Sequence, residues 1–258
     1  MREHLIIIKV GGQIVEEEAS LRMLLKDFSR IAGGKILVHG GGKSATALAE
    51  KLGIETKMVE GRRITDAETL KVATMVYAGL VNKNIVAGLQ AFGTNAIGLC
   101  GADLDIIRAV KRPVGAVDYG FVGDINWVNA QALYDLIDNG AVPVVAPITH
   151  DGKGSLLNTN ADNIASELAR SLCGRYELRL IYCFEKQGVL LNEADDNSII
   201  PEINPTLFEE LKAKGIITGG MIPKLDSGFN ALRRGVSAVV ITNAQGISGG
   251  LRGTRLVL

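Results

Sequence analysis

The chain of 258 residues lacks the features that mark several large classes of protein. Its three cysteines are far apart, with no CxxC pair and no histidine at ligand spacing, which is typical of reduced thiols and disfavours a disulfide framework or a zinc site. Charge of one sign is not in excess, because 28 Lys and Arg balance 28 Asp and Glu, whereas nucleic-acid-binding proteins usually have a basic excess. Uninterrupted apolar runs stay far below the ~20 residues of a membrane span, and Lys9 interrupts the first run too early for a signal peptide. We therefore expect a cytoplasmic protein without nucleic-acid or membrane partners.

Glycine, in contrast, is abundant, with 31 residues in the chain against a usual share of ~7%. The glycines stand in short clusters beside apolar runs rather than in low-complexity tracts. The chain length fits one large domain or two lobes that share a sheet.

Short apolar runs alternate with amphipathic stretches, which predicts an α/β protein with a mostly parallel central sheet. The runs are continuous rather than alternating in polarity, as in strands that helices cover on both faces. The predicted strands are 5–10, 36–38, 96–100, 141–148, 178–183 and 238–242.

The predicted helices are 16–31, 66–89, 160–172 and 205–214. Thr65 and Glu68 have the spacing of a capping box before the second of these, and Asn204 precedes Pro205 as the cap of the last. Residues 106–128 show no helical period and predict a β-hairpin or a small antiparallel β appendage.

The first apolar run ends with the sequence KVGG at residues 9–12. Ligands of parallel α/β sheets bind beyond the carboxyl ends of the strands, and paired glycines let backbone amides approach an anion there. Lys9 lies inside an apolar strand, where an ammonium group needs a partner unless it extends to the solvent from the strand end.

The second run ends with HGGGKS at residues 39–44, a strand-to-helix turn of the kind that binds anions through amides. It is not a P-loop, because that pattern requires a glycine where Leu37 stands. The turn 40–45 does fit the dinucleotide pattern, with Glu60 as the following acid, so an NAD-binding oxidoreductase stays open as an alternative. No nucleophile accompanies His39, which is more simply a structural histidine than a base.

Three further motifs combine polar side chains with turns or helix starts. Arg62 and Arg63 fit either a carboxylate clamp or an exposed basic turn. Residues 158–162 carry short polar side chains at alternate positions, and helix capping explains one of them, Asn160. Lys224 follows a paired-glycine turn and can reach back to a phosphate, although an isolated lysine there is often a surface residue.

Together, the motifs supply glycine turns that bind anions, two lysines, an arginine pair and one aspartate. No Ser-His-Asp order, HExxH motif or pair of catalytic carboxylates competes with them. The set suits two anionic ligands that face each other, which indicates phosphoryl transfer without a P-loop.

In these motifs, and in their order along nearly the whole chain, the sequence resembles the amino acid kinase family. The matching segments are 6–12, 38–42, 61–65, 75–83, 158–162, 219–224 and 253–256. The resemblance implies an open αβα sandwich in a single domain, 1–258, with an amino-acid-substrate lobe at 1–175 and a nucleotide lobe at 176–258. It implies phosphorylation by MgATP of the γ-carboxylate of an N-acylglutamate, with N-acetyl-L-glutamate as the first candidate, N-succinylglutamate as the alternative, and arginine biosynthesis as the setting.

The resemblance also implies roles for single residues. Lys9 and Lys224 would neutralise charge on the transferred phosphoryl group, while Asp162 would hold both lysines. Mg²⁺ would arrive on ATP rather than on a metal site of the protein. The γ-carboxylate is already ionised at pH 7, so the reaction needs charge neutralisation, in-line positioning and exclusion of water rather than a general base.

For the two ligands, the resemblance implies contacts from glycine amides and from two side chains. Phosphate oxygens would contact Gly11, Gly12 and Gly41. The acylglutamate would contact Gly41 and Gly42, and its α-carboxylate would bind Arg63 and Asn158.

Two features depart from the family pattern. The stretch 183–190, CFEKQGVL, is one residue longer than the usual nucleotide-side loop and lacks its aspartate, so no adenine contact is predicted. The chain begins almost directly at the first strand, without the N-terminal helix that links arginine-inhibited relatives into hexamers. We therefore expect an arginine-insensitive homodimer that pairs through the long helix at 66–89.

Overall fold

The structure, a computed structural model, describes residues 3–59, 62–248 and 252–258. The strands are β1 His4–Val10, β2 Gly34–His39, β3 Met58–Val59, β4 Arg62–Arg63, β5 Ala96–Leu99, β6 Ile107–Lys111, β7 Gly123–Val128, β8 Val142–Val145, β9 Ile148–His150, β10 Leu156–Asn158, β11 Glu177–Cys183, β12 Glu202–Ile203, β13 Ala238–Thr242 and β14 Thr254–Leu256. The α-helices are α1 Gly12–Glu16, α2 Glu18–Ser29, α3 Gly42–Lys51, α4 Ala67–Thr74, α5 Asn82–Ala91, α6 Ala130–Asp138, α7 Ala161–Leu172, α8 Pro205–Ala213, α9 Met221–Arg233 and α10 Ala244–Ser248.

An eight-stranded sheet has the order β12-β14-β13-β11-β1-β2-β8-β5. Its pairs are parallel except β13 with β14, which confirms the predicted mostly parallel sheet. Strand β1 lies at the centre of the sheet, between β2 and β11. The strands of this sheet that precede α7 lie on the β2 side of β1, and those that follow α7 lie on the β11 side. A crevice forms at such a point, beyond the carboxyl ends of the central strands.

Helices cover both faces of the sheet, as the continuous apolar strands require. One core cluster joins Ile7 of β1 to Leu168 of α7 and Phe229 of α9. The other joins Ile8 of β1 to Leu25 of α2 and Ile85 of α5. Successive residues of β1 thus point to opposite layers, and the αβα sandwich is confirmed.

Residues 106–128 form the predicted antiparallel pair, β6 with β7. This appendage is larger than predicted, because β9 and β10 extend it to a four-stranded sheet of order β10-β9-β6-β7. The predicted single strand 141–148 is therefore wrong: it divides into β8 and β9 around Pro147, which has no N–H to continue a ladder.

One predicted helix start and one predicted helix cap are also wrong. The helix expected at 16–31 begins at Gly12, breaks at the extended residue Glu17, and continues as α2. The cap of α4 is Asp66 rather than Thr65, because the Asp66 side chain accepts from the Thr69 amide at 2.8 Å. Thr65 is fully buried, and its hydroxyl donates to the Arg63 carbonyl instead of capping the helix.

The long helix predicted at 66–89 is observed as α4, a π-helical segment Met75–Val81, and α5. In the described ranges, Ala67–Ala91 is the one helix long and apolar enough to cross a membrane by length and composition. Its inner face packs into the second core cluster through Val72, Ile85 and Leu89, and core helices of this kind satisfy the same two criteria.

Candidate active site

Three charged side chains meet where β1, α7 and α9 approach each other. Lys9 lies at the end of β1, Asp162 in the first turn of α7, and Lys224 in the first turn of α9. The Asp162 carboxylate lies 2.9 Å from Lys9 Nζ through Oδ1 and 3.2 Å from Lys224 Nζ through Oδ2. All three side chains are less than one fifth exposed. The structure therefore excludes both a Lys9 that extends to the solvent and a Lys224 that is an ordinary surface residue.

The electrostatics of this cluster favour an anionic ligand. Burial raises the pKa of Asp162, but the two ammonium groups outweigh it and hold that pKa below its ordinary value. Burial lowers the pKa of Lys224, and Lys9 lowers it further, while Asp162 opposes both. With both lysines charged, the cluster carries one net positive charge in a poorly solvated place, which attracts a phosphate.

The two glycine turns lie side by side next to this cluster. The chain passes from β1 through Gly11 and Gly12 into α1, and from β2 through Gly40 and Gly41 into α3. A Cβ atom at Gly12 would stand 3.8 Å from the amide nitrogens of both Gly41 and Gly42. Among the described residues, the amides of Gly12, Gly41 and Gly42 donate to no protein atom.

Close packing explains why Gly41 must be glycine. Its φ of 150° with ψ of 20° is open only to glycine, and a Cβ atom there would lie 3.1 Å from the Tyr77 ring and 3.3 Å from Val81. The three unpaired amides beside it are suited to bind an anion at the N-terminus of α3, and we call them the anion cradle. The Gly11 amide does not belong to it, because it donates to the Cys183 carbonyl at 2.8 Å.

Arg63 lies at the edge of the same cradle. Its Nη2 donates to the Gly42 carbonyl and to Thr46 Oγ1, both at 2.8 Å, and its Nη1 donates to Thr56 Oγ1 at 3.2 Å. Arg62 is exposed, so the structure places only one arginine of the pair inward. Gly61 and Glu60 lie outside the described residues.

Asn158 joins the cradle through the appendage. Its Nδ2 donates to Thr65 Oγ1 at 3.0 Å, and that hydroxyl donates to the Arg63 carbonyl at 3.3 Å. Asn160 caps α7 as predicted, because its Oδ1 accepts from the amides of residues 162 and 163. The segment 158–162 therefore connects the Arg63 side of the site to the Asp162 cluster.

Three side chains that shape the site were not predicted from the sequence. Glu16 Oε1 accepts from the Ser44 amide at 2.9 Å and so ties the first glycine turn to α3. Tyr77 is buried against Gly41, and Asn82 contacts His39. Tyr77 and Asn82 lie in the matching segment 75–83, whereas Glu16 gave no signal beyond its place in an acidic run.

The stretch 183–190, for which no adenine contact is predicted, begins where β11 ends. β11 ends at Cys183, which is buried, and burial raises the pKa of its thiol to about 12, so it is inert near neutral pH. In the described ranges, no three His, Cys, Asp or Glu side chains lie close enough together to hold a metal ion.

The sequence profile described as the amino acid kinase family matches residues 4–243, and the chain belongs to that family. The chain is 66% identical over 250 residues to the acetylglutamate kinase of Phocaeicola vulgatus, covering 97% of each chain. It is 63% identical over 256 residues to the acetylglutamate kinase of Bacteroides thetaiotaomicron, covering 99% of each. Among solved structures, smu.665 from Streptococcus mutans superposes with a TM-score of 0.82 at 26% identity, covering 98% of both chains.

Proposed function

We propose that this chain is an acetylglutamate kinase, which transfers the γ-phosphoryl group of ATP to the γ-carboxylate of N-acetyl-L-glutamate in arginine biosynthesis. The names of relatives at 62–66% identity over nearly the full length support the substrate. The observation that carries the chemistry is the buried Lys9–Asp162–Lys224 cluster beside unpaired glycine amides. The family assignment leaves the NAD-binding alternative without support.

The reaction brings a carboxylate up to a phosphate, so its main barrier is repulsion between anions. Lys9 and Lys224 offset the charge that develops on the transferred phosphoryl group, and Asp162 holds and orients the two ammonium groups. The amides of Gly12 and Gly41 supply fixed donors to the phosphate oxygens, and need no reorganisation when the reaction occurs. Gly11 does not supply such a donor, contrary to the expectation, because its amide already donates to the Cys183 carbonyl. Gly11 positions the turn instead.

Binding of the amino acid falls to the other side of the cradle. Arg63 and Asn158 bind the α-carboxylate, and the surroundings of Gly41 and Gly42 accept the acylated glutamate. Thr46 and Thr56 hold the Arg63 guanidinium in place, which lowers the entropy lost when a carboxylate binds.

Mg²⁺ would be carried by the ATP phosphates and would neutralise part of their charge. Its ligands would be phosphate oxygens and water, the hard oxygen donors that the ion prefers. Asp162, the carboxylate nearest the lysines, is engaged by both ammonium groups and suits their orientation better than metal ligation.

The larger organisation follows the same proposal. Residues 1–175 form the amino-acid lobe and 176–258 the nucleotide lobe, which is supported by the sheet order: β5, β8, β2 and β1 lie on one side and β11 onwards on the other. The protein acts in the cytoplasm, where widely spaced cysteines without a CxxC pair are ordinary. It forms a homodimer through the face of the long helix that exposes Met75 and Leu80.

The experiment that tests the function measures ATP-dependent acyl phosphate formation with N-acetyl-L-glutamate, N-succinyl-L-glutamate and unacylated L-glutamate, trapping the product with hydroxylamine. We expect the highest kcat/KM with the acetyl substrate and none above background with L-glutamate. A higher kcat/KM with the succinyl substrate would replace the acyl group in the proposal, and no activity with any of them would overturn it. A thermal-shift titration provides a second measurement, with stabilisation by MgATP and none by NAD.

A further inference from the structure

The peptide between Gly40 and Gly41 is held from one side by a buried histidine. His39 is fully buried at the end of β2, and its Nδ1 lies 2.7 Å from the Gly40 carbonyl oxygen. A carbonyl oxygen only accepts hydrogen bonds, so Nδ1 carries the proton. In a trans peptide the C=O and the following N–H point in opposite directions, so fixing the Gly40 carbonyl also aims the Gly41 amide.

The other ring nitrogen of His39 is held by Asn82. Asn82 Nδ2 lies 3.1 Å from His39 Nε2 and donates to the Val144 carbonyl at 2.9 Å, while its Oδ1 accepts from Lys83 Nζ at 3.2 Å. The ammonium of Lys83 and the carbonyl of Val144 distinguish the two ends of the amide, so Nδ2 faces the ring. Nε2 must then be the acceptor, which fixes the tautomer of His39.

The ring is neutral at the pH at which a cytoplasmic enzyme works. Burial lowers the pKa of His39 to about 4, against the opposing hydrogen bond to Gly40 and with a further lowering by Lys83. The hydrogen bonds from Asn82 to His39 and from His39 to the Gly40 carbonyl are therefore a fixed arrangement of donors and acceptors, and the ring does not carry protons.

We propose that His39 is a positioning residue for phosphoryl transfer: locked as the Nδ1–H tautomer by Asn82, it holds the Gly40–Gly41 peptide so that the unpaired Gly41 amide meets the transferred phosphoryl group. The proposal rests on the proposed kinase function. His39 touches no reacting atom and acts only through Gly41, whose amide lies beside Gly12 and donates to no protein atom among the described residues.

Two variants separate this role from packing. His39→Asn keeps a donor near the position of Nδ1 but leaves a cavity, whereas His39→Leu fills more of the volume and removes the donor. We expect His39→Leu to lower kcat by roughly 10²-fold, the scale of losing one transition-state donor, with the KM values for ATP and acetylglutamate changed by less than about threefold. His39→Asn should retain the higher kcat of the two, although its thermal unfolding midpoint should be no higher than that of the leucine variant. A kcat order that follows the unfolding midpoints, with leucine above asparagine, would show that the histidine only fills space.

The tautomer can be observed without any activity. The chain has three histidines, so ¹⁵N spectra of labelled protein, with His39→Asn identifying the missing signals, assign the ring of His39. We expect a protonated Nδ1 and an unprotonated Nε2 at every pH from about 6 to 8. A protonated Nε2 in that range would overturn the proposal while leaving the kinase function intact. A wild-type protein with this tautomer but no phosphoryl transfer would overturn the kinase function first, and this role with it.

Discussion

Asp162 illustrates how one carboxylate sets the charge state of the lysines beside it. Its two oxygens are divided between Lys9 and Lys224, and its negative charge is what makes two ammonium groups tolerable in a poorly solvated cluster. The pKa of Lys224 is lowered by burial even so, and Asp162 limits that lowering.

Replacing Asp162 by Asn should therefore change both the rate and its pH dependence. Without the carboxylate, the pKa of Lys224 falls further, so the alkaline limb of the kcat profile should move to lower pH and kcat should fall by at least about 10²-fold. The folded state should also lose about 3 kcal/mol, because a buried ion pair loses one partner. An unfolded lysine binds its proton more tightly than Lys224 does in the fold, so the stability of the variant should recover as the pH rises towards 10.5.

The measurements are kcat against pH and urea unfolding at pH 7 and 9. Asp226→Asn is the matched control, since Asp226 is an exposed carboxylate on the same helix as Lys224. An alkaline limb that stays at the wild-type position in Asp162→Asn would separate Asp162 from the charge state of Lys224.

Arg63 and Arg62 form a natural matched pair for substrate binding. Arg63→Ala should raise the KM for acetylglutamate by roughly tenfold or more with a smaller change in kcat, because it binds a carboxylate that does not react. Arg62→Ala should leave both constants near wild type, because Arg62 is exposed. Equal effects from the two variants would contradict the assignment of the α-carboxylate to Arg63.

At the residue scale, the sequence predicted the side chains whose chemistry is unusual for their position, such as Lys9 within an apolar strand. It did not predict the side chains that hold them. Glu16 reaches Ser44 across 28 positions, and Thr46 and Thr56 reach Arg63 from an ordinary polar helix and loop. Such contacts depend on how the elements pack, which local composition does not specify.

At the scale of elements, the turn between β2 and α3 is the most constrained part of the site. Gly41→Ala should cost about 1–3 kcal/mol from backbone strain at its positive φ, with added crowding against Tyr77, and should lower kcat. Gly53→Ala is the control, because Gly53 also has a positive φ, of 70°, but nothing lies within 4 Å of its Cβ position. We expect Gly53→Ala to lose stability by about 1 kcal/mol with kcat unchanged. Urea unfolding and steady-state kinetics measure both, and a Gly41→Ala enzyme with wild-type kcat would remove this turn from the site.

Elements with a long apolar run or a clear helical period were predictable. β1, β11, α7 and α8 fall within two residues of their predicted bounds. The short strands β12 and β14 were not predicted, because two or three residues carry too little pattern. The break at Pro147 and the cap at Asp66 depended on which neighbouring elements were available to pair with, and that is decided by the tertiary fold.

At the scale of the whole molecule, the exposed apolar face of the long helix predicts pairing of two chains. Leu80→Lys should convert the dimer to a monomer in light scattering, because a charged group is costly in an apolar interface. Leu191→Lys is the control, since Leu191 is similarly exposed, at 56% against 58%, but lies in a loop far along the chain. A monomeric wild-type protein, or a Leu80→Lys dimer as stable as wild type, would contradict pairing through this face.

The expectation of an arginine-insensitive enzyme stays a prediction at the same scale. Steady-state assays with and without L-arginine should give equal rates. Inhibition by arginine, or a hexamer in light scattering, would refute it.

The architecture of the whole molecule was predictable because continuous apolar strands alternate with helices, which leaves few solutions other than a covered parallel sheet. The family resemblance supplied the division into substrate and nucleotide lobes, and that division stays a prediction. The size of the appendage was not predictable, because β9 overlaps the predicted strand 141–148 and the three residues of β10 carry too little pattern.

The central claim, that two ammonium groups held by one carboxylate stabilise the transferred phosphoryl group, is tested most directly by single-turnover phosphoryl transfer in Lys9→Ala and Lys224→Ala. Lys212→Ala, an exposed lysine on α8, serves as the control. The claim predicts that each active-site variant transfers phosphate to acetylglutamate roughly 10²–10³-fold more slowly than wild type, about 3–4 kcal/mol, while the control matches wild type. Transfer at the wild-type rate in both Lys9→Ala and Lys224→Ala would contradict it.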